Sequence, residues 1–528
     1  GLFVAAKVGK IKRADVSKGD IVINDNVNLK GYTNIALFGV DSREGSLDKE
    51  AHSDTILIAS INNKTKDVKL VSVYRDTYLD NTNGEYRKAT ECYYFGGPSR
   101  AISMLNKNLD LDITDFVTVD FTAVADVVDA LGGIDIDVQE DTEKSLAQTI
   151  EAMTAKDGIV RGGAAVVVGV GSGEVLAMAS YPTYNLSTFD QDYSKLVSDT
   201  VGTPLLNRAI GGAYAPGSTF KPCTAVAALE SGIITPSSTI VDRGVYDYYK
   251  SPQPRCWIYN EYGGTHGRVN VSQAITVSCN YFFYELGYRL GSTANGSDSN
   301  KAITTLNEYM AAFGLNDYTG VELDEYGPTM ASPANKEKAV KTFNPDATTS
   351  QTRWTDGDTI RTAIGQSINS YTPAQITKYV STLANGGTLY KLHMVDHIQN
   401  ADGTLHSEVE ETVENVTKFK EENLQAVYQG MYLVTNGSRG TLRTAFNDLP
   451  VKVAAKTGTA EEDKNRSSHT WFVCFAPFDD PQIAITVMIP FGEGSGTPAP
   501  AVAKAIIREY LGLDYTPTNT TMQTVLAE

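Results

Sequence analysis

The amino-acid sequence predicts two domains, an α/β domain followed by an α+β domain whose antiparallel sheet is flanked by helices. A chain of 528 residues has room for about two to four domains of roughly 150 residues. Strand-like and helix-like patterns alternate in residues 34–138, whereas strand-like runs with short connections follow one another in residues 451–489. Alternation is typical of an α/β domain, and consecutive strands with short connections favour an antiparallel sheet.

The first part of the chain combines strands with two helices. Apolar and β-branched runs predict strands at 34–40, 55–61, 68–73, 116–119 and 134–138, with a hairpin around the polar residues 62–67. Apolar residues at spacings of three and four predict helices at 98–109 and 123–131. Gly132-Gly133 ends the second of these helices.

The second part predicts a hairpin, several helices and a closing sheet. A helical stretch at 142–153 is followed by runs at 164–170 and 174–179 that flank Gly171-Ser172-Gly173, which indicates a hairpin. Helices then alternate with Tyr-, Ser- and Gly-rich loops up to about residue 350. The remaining patterns predict strands at 451–455, 471–476 and 483–489 and a helix at 501–510.

Composition narrows the classes of function. The chain has 63 acidic and 45 basic residues, a net charge of −18 and a pI near 4.9, which argues against a nucleic-acid binder. Five widely spaced cysteines without a Cys-x-x-Cys pair argue against a disulfide framework or a structural zinc site. The six histidines show no metal-ligand spacing, so we expect no metal in the second domain.

A membrane-spanning helix is not expected, because no apolar run approaches the roughly 20 residues that one needs. Residues 1–9 are mildly apolar and begin with Gly1. They are interpreted as the tail of a truncated anchor or signal region, with a frayed terminus as the alternative.

The segment 214–221 carries the strongest signal for chemistry. Pro216-Gly217 interrupts the chain before a helical pattern at 224–229, which places Ser218 at or near a helix N-terminus, where backbone N–H groups favour negative charge. Lys221 lies three residues on, and this spacing shares a helical face, so its amine can reach the Ser218 hydroxyl. A partly desolvated amine can take the proton that makes serine a nucleophile. Alone, the pattern also fits a capping serine beside a solvated lysine.

Two further motifs follow in a fixed order. Ser278-Cys279-Asn280 lies between a helical stretch and an aromatic run, and Lys456-Thr457-Gly458-Thr459 ends the alternating strand 451–455. Each motif alone is weak, because Lys-Thr-Gly is commonly an edge strand that runs into a turn. All three motifs together, in a helix, a loop and a strand, indicate a serine acyl-transfer site.

These residues resemble the transpeptidase domain of penicillin-binding proteins, and more narrowly the class B, elongation-type enzymes called penicillin-binding protein 2. The resemblance covers about residues 160–515. It includes the three motifs and the following matches: Asn207-Arg208-Ala209, Ile240-Val241-Asp242-Arg243-Gly244, Arg255-Cys256-Trp257, His266-Gly267, Gly365-Gln366 and Thr372-Pro373-Ala374-Gln375.

The resemblance implies a peptidoglycan D,D-transpeptidase that needs no cofactor. Ser218 would attack a D-Ala-D-Ala stem peptide, Lys221 would accept its proton, and Ser278 would relay a proton to the leaving D-alanine. An amine of a neighbouring stem peptide would then resolve the acyl-enzyme and cross-link the wall. A β-lactam, which mimics the dipeptide, would acylate Ser218.

The resemblance also implies which residues bind the substrate. Asn280 would hold the substrate amide, and Lys456 and Thr457 would face its terminal carboxylate. Gly458 would let the strand edge lie along the peptide as an added strand. The backbone N–H groups of Ser218 and Thr459 would form the oxyanion hole.

Other functions fit the same motifs. One alternative is a serine β-lactamase or β-lactam sensor, although no Glu-x-x-Leu-Asn pattern lies between the second and third motifs. Another is an inactive wall-binding chimera in which the site is not assembled. Cys279 is interpreted as a small buried thiol in preference to a redox switch.

Residues 31–140 resemble the first half of the LytR-CpsA-Psr family, which transfers glycopolymers from a polyprenyl-pyrophosphate carrier to peptidoglycan. The matching motifs are Gly39-Val40-Asp41-Ser42-Arg43, Ser53-Asp54-Thr55, Tyr74-Arg75-Asp76-Thr77, Gly96-Gly97-Pro98 and Leu131-Gly132-Gly133-Ile134. Asp41 and Asp54 can hold Mg²⁺, with Asp76 beside them, while Arg43 and Arg75 grip a pyrophosphate. Surface salt bridges at strand ends are the alternative reading.

The first half departs from that family in two places. His52 stands where the family usually has an arginine, and the later Arg-rich segment is absent, so we expect an incomplete glycopolymer phosphotransferase domain. The expected organisation is a truncated segment at 1–30, a partial LytR-CpsA-Psr domain at 31–140, a linker or start of the catalytic region at 141–160, a transpeptidase domain at 161–515 and a tail at 516–528.

The resemblances imply an extracytoplasmic protein at the bacterial cell membrane, with its anchor missing from this chain. The implied partners are stem peptides, β-lactams and a membrane glycosyltransferase of the SEDS type. A polyprenyl-linked glycopolymer would join them if the first domain is active, and no nucleic acid is expected.

Overall fold

The computed structural model describes residues 12–13, 21–24, 27, 29–41, 52–82, 84–120, 138–248, 253–400, 405–460, 467–492, 498–513 and 525–526. Contacts divide the chain into two compact units, Gly1–Asp135 with Tyr515–Glu528, and Ile136–Asp514. In the described ranges, no helix is long and apolar enough to cross a membrane.

The first unit is built on a six-stranded sheet. Its strands lie in the order Lys12–Arg13, Val525–Leu526, Asp115–Asp120, Tyr32–Asp41, His52–Asn62 and Val68–Ser72. A small hairpin joins Tyr78–Asp80 to Tyr86–Lys88. The helix Ala89–Leu109 packs on the sheet, and its Tyr93, Ile102 and Leu105 share a core with Phe38 and Ile56.

Most sequence-predicted elements of the first unit are confirmed, with one longer helix and one additional strand. The helix predicted at 98–109 begins earlier, at Ala89, and its backbone is not helical at Gly96 and Gly97, just before Pro98. Val525–Leu526 pairs with Asp115–Asp120 and is therefore a strand, where the sequence predicts a tail. The helix predicted at 123–131, Gly132-Gly133 and nearly all of the strand predicted at 134–138 lie outside the described residues. Val138 begins a helix.

The second unit has a five-stranded antiparallel sheet at its centre, as the sequence predicted. The strands lie in the order Ala454–Ala460, His469–Ala476, Ile483–Ile489, Gly163–Gly169 and Val175–Tyr181. Two-stranded ribbons add Ile240–Asp242 with Gly267–Val269, Ser292–Thr293 with Gly296–Ser297, Thr388–Tyr390 with Val413–Val416, and His397–Gln399 with Leu405–Glu408.

Helices cover both faces of this sheet. Their bounds are Val138–Asp157, Phe189–Ser198, Arg208–Gly211, Lys221–Glu230, Trp257–Tyr262, Val271–Thr276, Asn280–Leu290, Ser299–Ala312, Pro333–Phe343, Thr349–Thr352, Asp356–Thr362, Pro373–Ala384, Glu421–Asn436 and Pro498–Tyr510. Short 3₁₀ turns occupy Leu186–Thr188 and Gly217–Phe220.

Strand periodicity explains why both faces are buried. Successive side chains of a strand point to opposite faces, and in His469–Ala476 the residues Trp471, Val473 and Phe475 join one core while Phe472 and Cys474 join the other. Full burial of one large apolar side chain contributes about 1.5–3 kcal/mol. This strand therefore anchors the sheet to both helical layers.

The stretch predicted as a linker or the start of the catalytic region is a core helix. Leu146 and Ile150 of Val138–Asp157 are buried in one core cluster with Val502 and Ile506 of Pro498–Tyr510. The helix predicted at 142–153 is thus confirmed and longer.

The strand predicted at 451–455 lies further along the chain. Residues Ala454–Ala460 pair one by one with His469–Ala476 in reverse order, so the Lys-Thr-Gly motif lies inside the strand instead of after it. We call Ala454–Ala460 the KTG strand. It is the edge strand of its sheet.

Candidate active site

Ser218 lies in a tight turn that leads into a helix, as the sequence predicted. The 3₁₀ turn Gly217–Phe220 continues directly into Lys221–Glu230. Gly217 has a left-handed φ of 55°, and a Cβ atom there would overlap the carbonyl of Thr459. Only glycine combines this φ with so close an approach at low cost. The turn therefore packs directly against the KTG strand.

Two further contacts fix the position of the serine turn. The Gly217 N–H donates to the carbonyl of Gly365 at 2.9 Å, and the indole of Trp471 donates to the carbonyl of Ala215 at 2.9 Å. A Cβ atom on Gly365 would overlap the Gly217 carbonyl. The turn is thus held between the loop segment at Gly365 and the central sheet.

The amine of Lys221 is fully buried and donates hydrogen bonds to residues of the second motif. Its Nζ donates to the Ser278 carbonyl at 2.8 Å, to Ser278 Oγ at 3.0 Å and to Asn280 Oδ1 at 2.7 Å. The Phe283 ring centroid lies 5.5 Å from Nζ. Burial lowers the pKa of Lys221 to about 8, because a low-dielectric site disfavours the charged form.

The expected contact between Lys221 and Ser218 is absent among the described side-chain hydrogen bonds. The three acceptors of the second motif occupy the three N–H donors that a lysine ammonium offers. Catalytic hydrogen bonds are often long before substrate binds and tighten in the complex.

Ser278 joins two buried lysines. Its backbone has a φ of 54°, a strained value for a residue with a side chain, where the chain turns between Val271–Thr276 and Asn280–Leu290. Ser278 Oγ accepts from Lys221 Nζ and from Lys456 Nζ, each at 3.0 Å. Burial, together with the neighbouring charge of Lys221, lowers the pKa of Lys456 well below its ordinary value. This environment favours a neutral amine in the pair.

The KTG strand presents backbone groups at the open edge of its sheet. The carbonyl of Thr459 accepts from Gln366 Nε2 at 3.3 Å, and the carbonyl of Thr457 accepts from Lys456 Nζ at 2.8 Å. In an antiparallel strand the N–H and C=O of one residue point to the same side. The N–H groups of Thr457 and Thr459 therefore also face away from the neighbouring strand.

Gly458 has a packing role that the sequence did not indicate. The expectation was that its missing side chain leaves room for substrate. A Cβ atom there would lie 2.8 Å from the Pro216 carbonyl and 2.8 Å from Thr219 Cγ2. The absence of a side chain at Gly458 thus allows the turn that carries Ser218 to pack against the KTG strand.

Hydrogen bonds join Lys221, Ser278, Asn280, Lys456 and Thr457, and the turn that carries Ser218 packs on the strand at Gly458 and Thr459. A family model described as the penicillin binding protein transpeptidase domain matches residues 163–508. The chain belongs to this family.

Relatives within the family point to the elongation-type branch. The peptidoglycan D,D-transpeptidase MrdA of Haemophilus influenzae is 32% identical over 374 residues, covering 66% of this chain and 53% of that protein. MrdA of Escherichia coli K12 is 33% identical over 368 residues, with the same two coverages. The chain therefore spans about half the length of these two relatives.

Solved structures agree on the fold. Pseudomonas aeruginosa PBP2 in complex with WCK 5153 is 25% identical, with a TM-score of 0.59 over 92% of this chain and 97% of that one. The imipenem acyl-enzyme of penicillin-binding protein A from M. tuberculosis is 20% identical with a TM-score of 0.56, covering 91% of this chain and 98% of that one.

The predicted residues of the first unit are only partly assembled in the described chain. Arg75 pairs with Asp54, both partly exposed, and Lys88 pairs with Asp76 at 2.7 Å. The hydrogen bond from Lys88 lowers the pKa of Asp76. Asp41 lies opposite His52 in the sheet register, but its side chain and Arg43 lie outside the described residues. His52 stacks on Tyr94 with ring centroids 4.7 Å apart.

A LytR-CpsA-Psr family model matches residues 4–162, so the first part of the chain is of this type. The match extends past the predicted limit at residue 140 and includes Val138–Asp157, the helix that packs in the second unit.

A second cluster of polar groups, which the sequence analysis does not predict, lies beside the serine site. Asp242, Cys256, His266 and Cys279 are all buried, and one potential ligand atom of each lies within 4.8 Å of the others. We call these four residues the tetrad. His266 Nδ1 is 2.8 Å from Asp242 Oδ2 and 3.4 Å from Cys256 Sγ, and Cys279 Sγ is 3.6 Å from Asp242 Oδ2.

The tetrad fits a divalent metal in its donor chemistry. Two sulfur atoms, one imidazole nitrogen and one carboxylate oxygen form a donor set typical of a tetrahedral Zn²⁺ site. Burial raises the pKa of the Asp242 carboxyl, but hydrogen bonds from His266 and Gly244 outweigh it and lower the pKa to about 2. The carboxylate is therefore ready to bind a cation.

The four ligands come from four separate segments, which explains why spacing alone did not reveal them. Asp242 ends the strand Ile240–Asp242, which pairs with Gly267–Val269 just after His266. Cys279 lies inside the second motif. The one available signal was that Asp242, Cys256 and His266 all fall in segments that match the family.

Proposed function

We propose that this chain is a serine D,D-transpeptidase that cross-links peptidoglycan stem peptides. The observation that carries the proposal is the convergence of Lys221 and Lys456 on Ser278 Oγ, beside the turn that presents Ser218. Two buried amines and two hydroxyls in one site can move a proton from a nucleophile to a leaving group.

Acylation begins with attack of Ser218 Oγ on the carbonyl of the penultimate D-alanine. Lys221 is the base, because a pKa of about 8 leaves roughly a tenth of its amine neutral at pH 7. The proton then reaches the departing amine through Ser278 Oγ, which both lysines contact. D-Alanine leaves, and the peptide is held as an ester of Ser218.

The substrate lies along the KTG strand as an added strand. The outward N–H groups of Thr457 and Thr459 supply main-chain donors for this pairing. Lys456 and the Thr457 hydroxyl face the substrate carboxylate, and the Asn280 side chain holds the substrate amide.

The N–H groups of Ser218 and Thr459 stabilise the oxyanion, because the turn packs on the strand at this point. Loss of one such donor typically costs about 10²–10³ in rate. An amine of a second stem peptide then attacks the ester, takes over the acyl group and returns a proton to Ser218.

A metal bound at the tetrad would act as a structural support. It would hold Cys279 in place, and with it the neighbouring Ser278 and Asn280. The acyl transfer itself uses only the side chains and backbone groups described above.

The proposed setting is the outer face of the bacterial cell membrane, where peptidoglycan is cross-linked. Solved neighbours include a complex of PBP2 with MreC from Helicobacter pylori and a peptidoglycan synthase complex that coordinates polymerization and crosslinking. By analogy with the complex that couples polymerization to crosslinking, we propose a membrane glycosyltransferase of the SEDS type as the partner of this chain.

For the first unit we propose an incomplete glycopolymer phosphotransferase domain. Support comes from the family match and from Asp54 and Arg75, which pair at the sheet end beside Asp41. Titration calorimetry with Mg²⁺ on the full chain and on Asp54→Asn tests it. Equal heats from both proteins would argue for a plain surface salt bridge.

The transpeptidase proposal is tested by intact-protein mass after incubation with benzylpenicillin. We expect one stable adduct, lost in Ser218→Ala and kept in the control Ser237→Ala, which changes an exposed serine past the same helix. An adduct that turns over within minutes would indicate a β-lactamase. An adduct that persists in Ser218→Ala would refute the assignment of the nucleophile.

A further inference from the structure

Two thiols of the tetrad lie unusually close together. Cys256 Sγ and Cys279 Sγ are 3.9 Å apart, and both side chains are fully buried. All five cysteines are free thiols, but the thiols of Cys92, Cys223 and Cys474 have no cysteine partner among the described hydrogen bonds. The pair is therefore set apart from the other cysteines.

We propose that Cys256 and Cys279 close into a reversible disulfide when the tetrad holds no metal, and that closure lowers the rate of acylation at Ser218. The first half of this proposal stands on the thiol geometry alone, whereas the second half rests on the proposed function. It reverses the sequence-based reading of Cys279 as an inert buried thiol.

Closure requires the two sulfur atoms to approach each other by less than about 2 Å. A disulfide has an S–S length of about 2.05 Å, so closure must shorten the present 3.9 Å separation by roughly 1.9 Å. Side-chain rotation and local backbone adjustment at the two cysteines would have to supply this change. A bound metal would hold both thiolates apart as separate ligands and thereby prevent closure.

Movement at Cys279 reaches the catalytic residues directly. Its neighbours in the chain are Ser278, which has a strained φ of 54°, and Asn280, both hydrogen-bonded to Lys221. Cys279 Sγ also accepts from the Phe282 N–H at 3.5 Å, at the start of Asn280–Leu290. A shift of about 1 Å in a catalytic group can cost roughly 100-fold in rate.

Because both thiols are fully buried, closure takes place when local opening of the fold exposes one of them, by thiol–disulfide exchange with a small-molecule disulfide as oxidant. One protein thiolate attacks a sulfur of the oxidant, forms a mixed disulfide and releases the first oxidant thiol. The second protein thiolate attacks the mixed disulfide at the protein sulfur and releases the second oxidant thiol. The two cysteines are oxidised by two electrons in total, the oxidant disulfide is reduced, and the two protons end on the released thiols.

The positions of the arginines allow the proposed disulfide to be detected directly by mass spectrometry. Trypsin cleaves after Arg255, Arg268 and Arg289 and places Cys256 and Cys279 in separate peptides, 256–268 and 269–289. The full chain is treated with EDTA, incubated with oxidised glutathione, alkylated under denaturing conditions and digested. We expect a cross-link between these two peptides, while Cys92, Cys223 and Cys474 are recovered alkylated and serve as internal controls.

Two results would overturn the first half. One is recovery of Cys256 and Cys279 as alkylated or glutathione-bound residues without the cross-link. The other is an equal yield of the cross-link after saturation with Zn²⁺, since the metal is expected to protect the pair.

The second half is tested with a fluorescent penicillin on the same samples. We expect the cross-linked protein to be acylated roughly 10- to 100-fold more slowly, with recovery after dithiothreitol. In Cys256→Ser the ratio of treated to untreated rates is expected to be near one. An unchanged acylation rate in the cross-linked wild type would overturn the second half of the proposal alone. If the reduced protein is not labelled at all, both the second half and the proposed function are overturned, while the disulfide itself is unaffected.

Discussion

The buried amine of Lys221 should set the pH dependence of acylation. It is fully enclosed, and burial lowers its pKa to about 8. If Lys221 takes the proton of Ser218, only its neutral form is active, so the rate is low below the pKa and rises as pH increases. With a pKa of about 8, the neutral fraction grows from roughly 1% at pH 6 to half at pH 8.

We therefore expect the rate of acylation by a penicillin to rise about 50-fold between pH 6 and pH 8 and to level off above pH 9. The assay is stopped-flow or quenched labelling with a fluorescent penicillin at fixed ionic strength. The labelled fraction is read from intact mass, so that slow unfolding at the extremes of pH is seen separately.

The matched variants are Lys221→Arg and Lys452→Arg. An arginine stays protonated, so Lys221→Arg should lose nearly all acylation at every pH. Lys452 is an exposed lysine paired with Asp479 just before the KTG strand, and its replacement should keep the full profile. A wild-type rate that does not change between pH 6 and pH 8 would show that Lys221 is not the base.

Three further predictions follow from the packing and the tetrad. Gly458→Ala places a Cβ atom within 2.8 Å of the Pro216 carbonyl and should slow acylation by about 100-fold. The control Gly171→Ala, whose Cβ meets open space, should leave the rate unchanged. Equal rates of penicillin labelling in the two variants would contradict the packing argument. Elemental analysis of the purified chain should find about one Zn²⁺ per chain, lost in His266→Ala and kept in His406→Ala, an exposed histidine; metal retained in His266→Ala would exclude the tetrad. Ile150→Ala should lower the free energy of unfolding, measured by urea denaturation, by about 2–5 kcal/mol, because Ile150 is buried in the sheet core. Replacement of the exposed Ile159 by alanine should change this free energy little. Similar small effects of both substitutions would show that the helix Val138–Asp157 is peripheral.

The sequence predicted the elements of the catalytic region well where periodicity is strong. The strand predicted at 483–489 has those bounds in the structure, because its continuous apolar run is buried on both faces. The KTG strand was placed too early, since the alternation Val451 to Ala455 looks like a strand by itself. Its real limits are set by pairing with His469–Ala476, a long-range contact that local patterns do not contain.

The same distinction applies to the site. Three motifs named the right residues, but they could not show that Lys221 and Lys456 meet on Ser278 Oγ, which depends on the tertiary fold. The tetrad was missed altogether, because metal-ligand spacing is a local signal and its four members are brought together only by the turn at Ser278 and the ribbon beside His266. The sequence thus predicts catalytic residues that lie in short motifs, but it does not predict sites whose residues are brought together only by the tertiary fold.

The position of Cys279 connects these two kinds of chemistry. It is the middle residue of a motif whose outer members, Ser278 and Asn280, both bind Lys221, and its own sulfur belongs to the tetrad. Any ligand or bond that holds this sulfur therefore also sets the distance between Ser278 Oγ and the two lysines. The strained φ at Ser278 costs roughly 1–3 kcal/mol and must be stabilised by its surroundings. The tetrad can supply this support, because it holds Cys279, the residue that follows Ser278. The state of its two thiols should therefore decide whether the serine site is correctly formed.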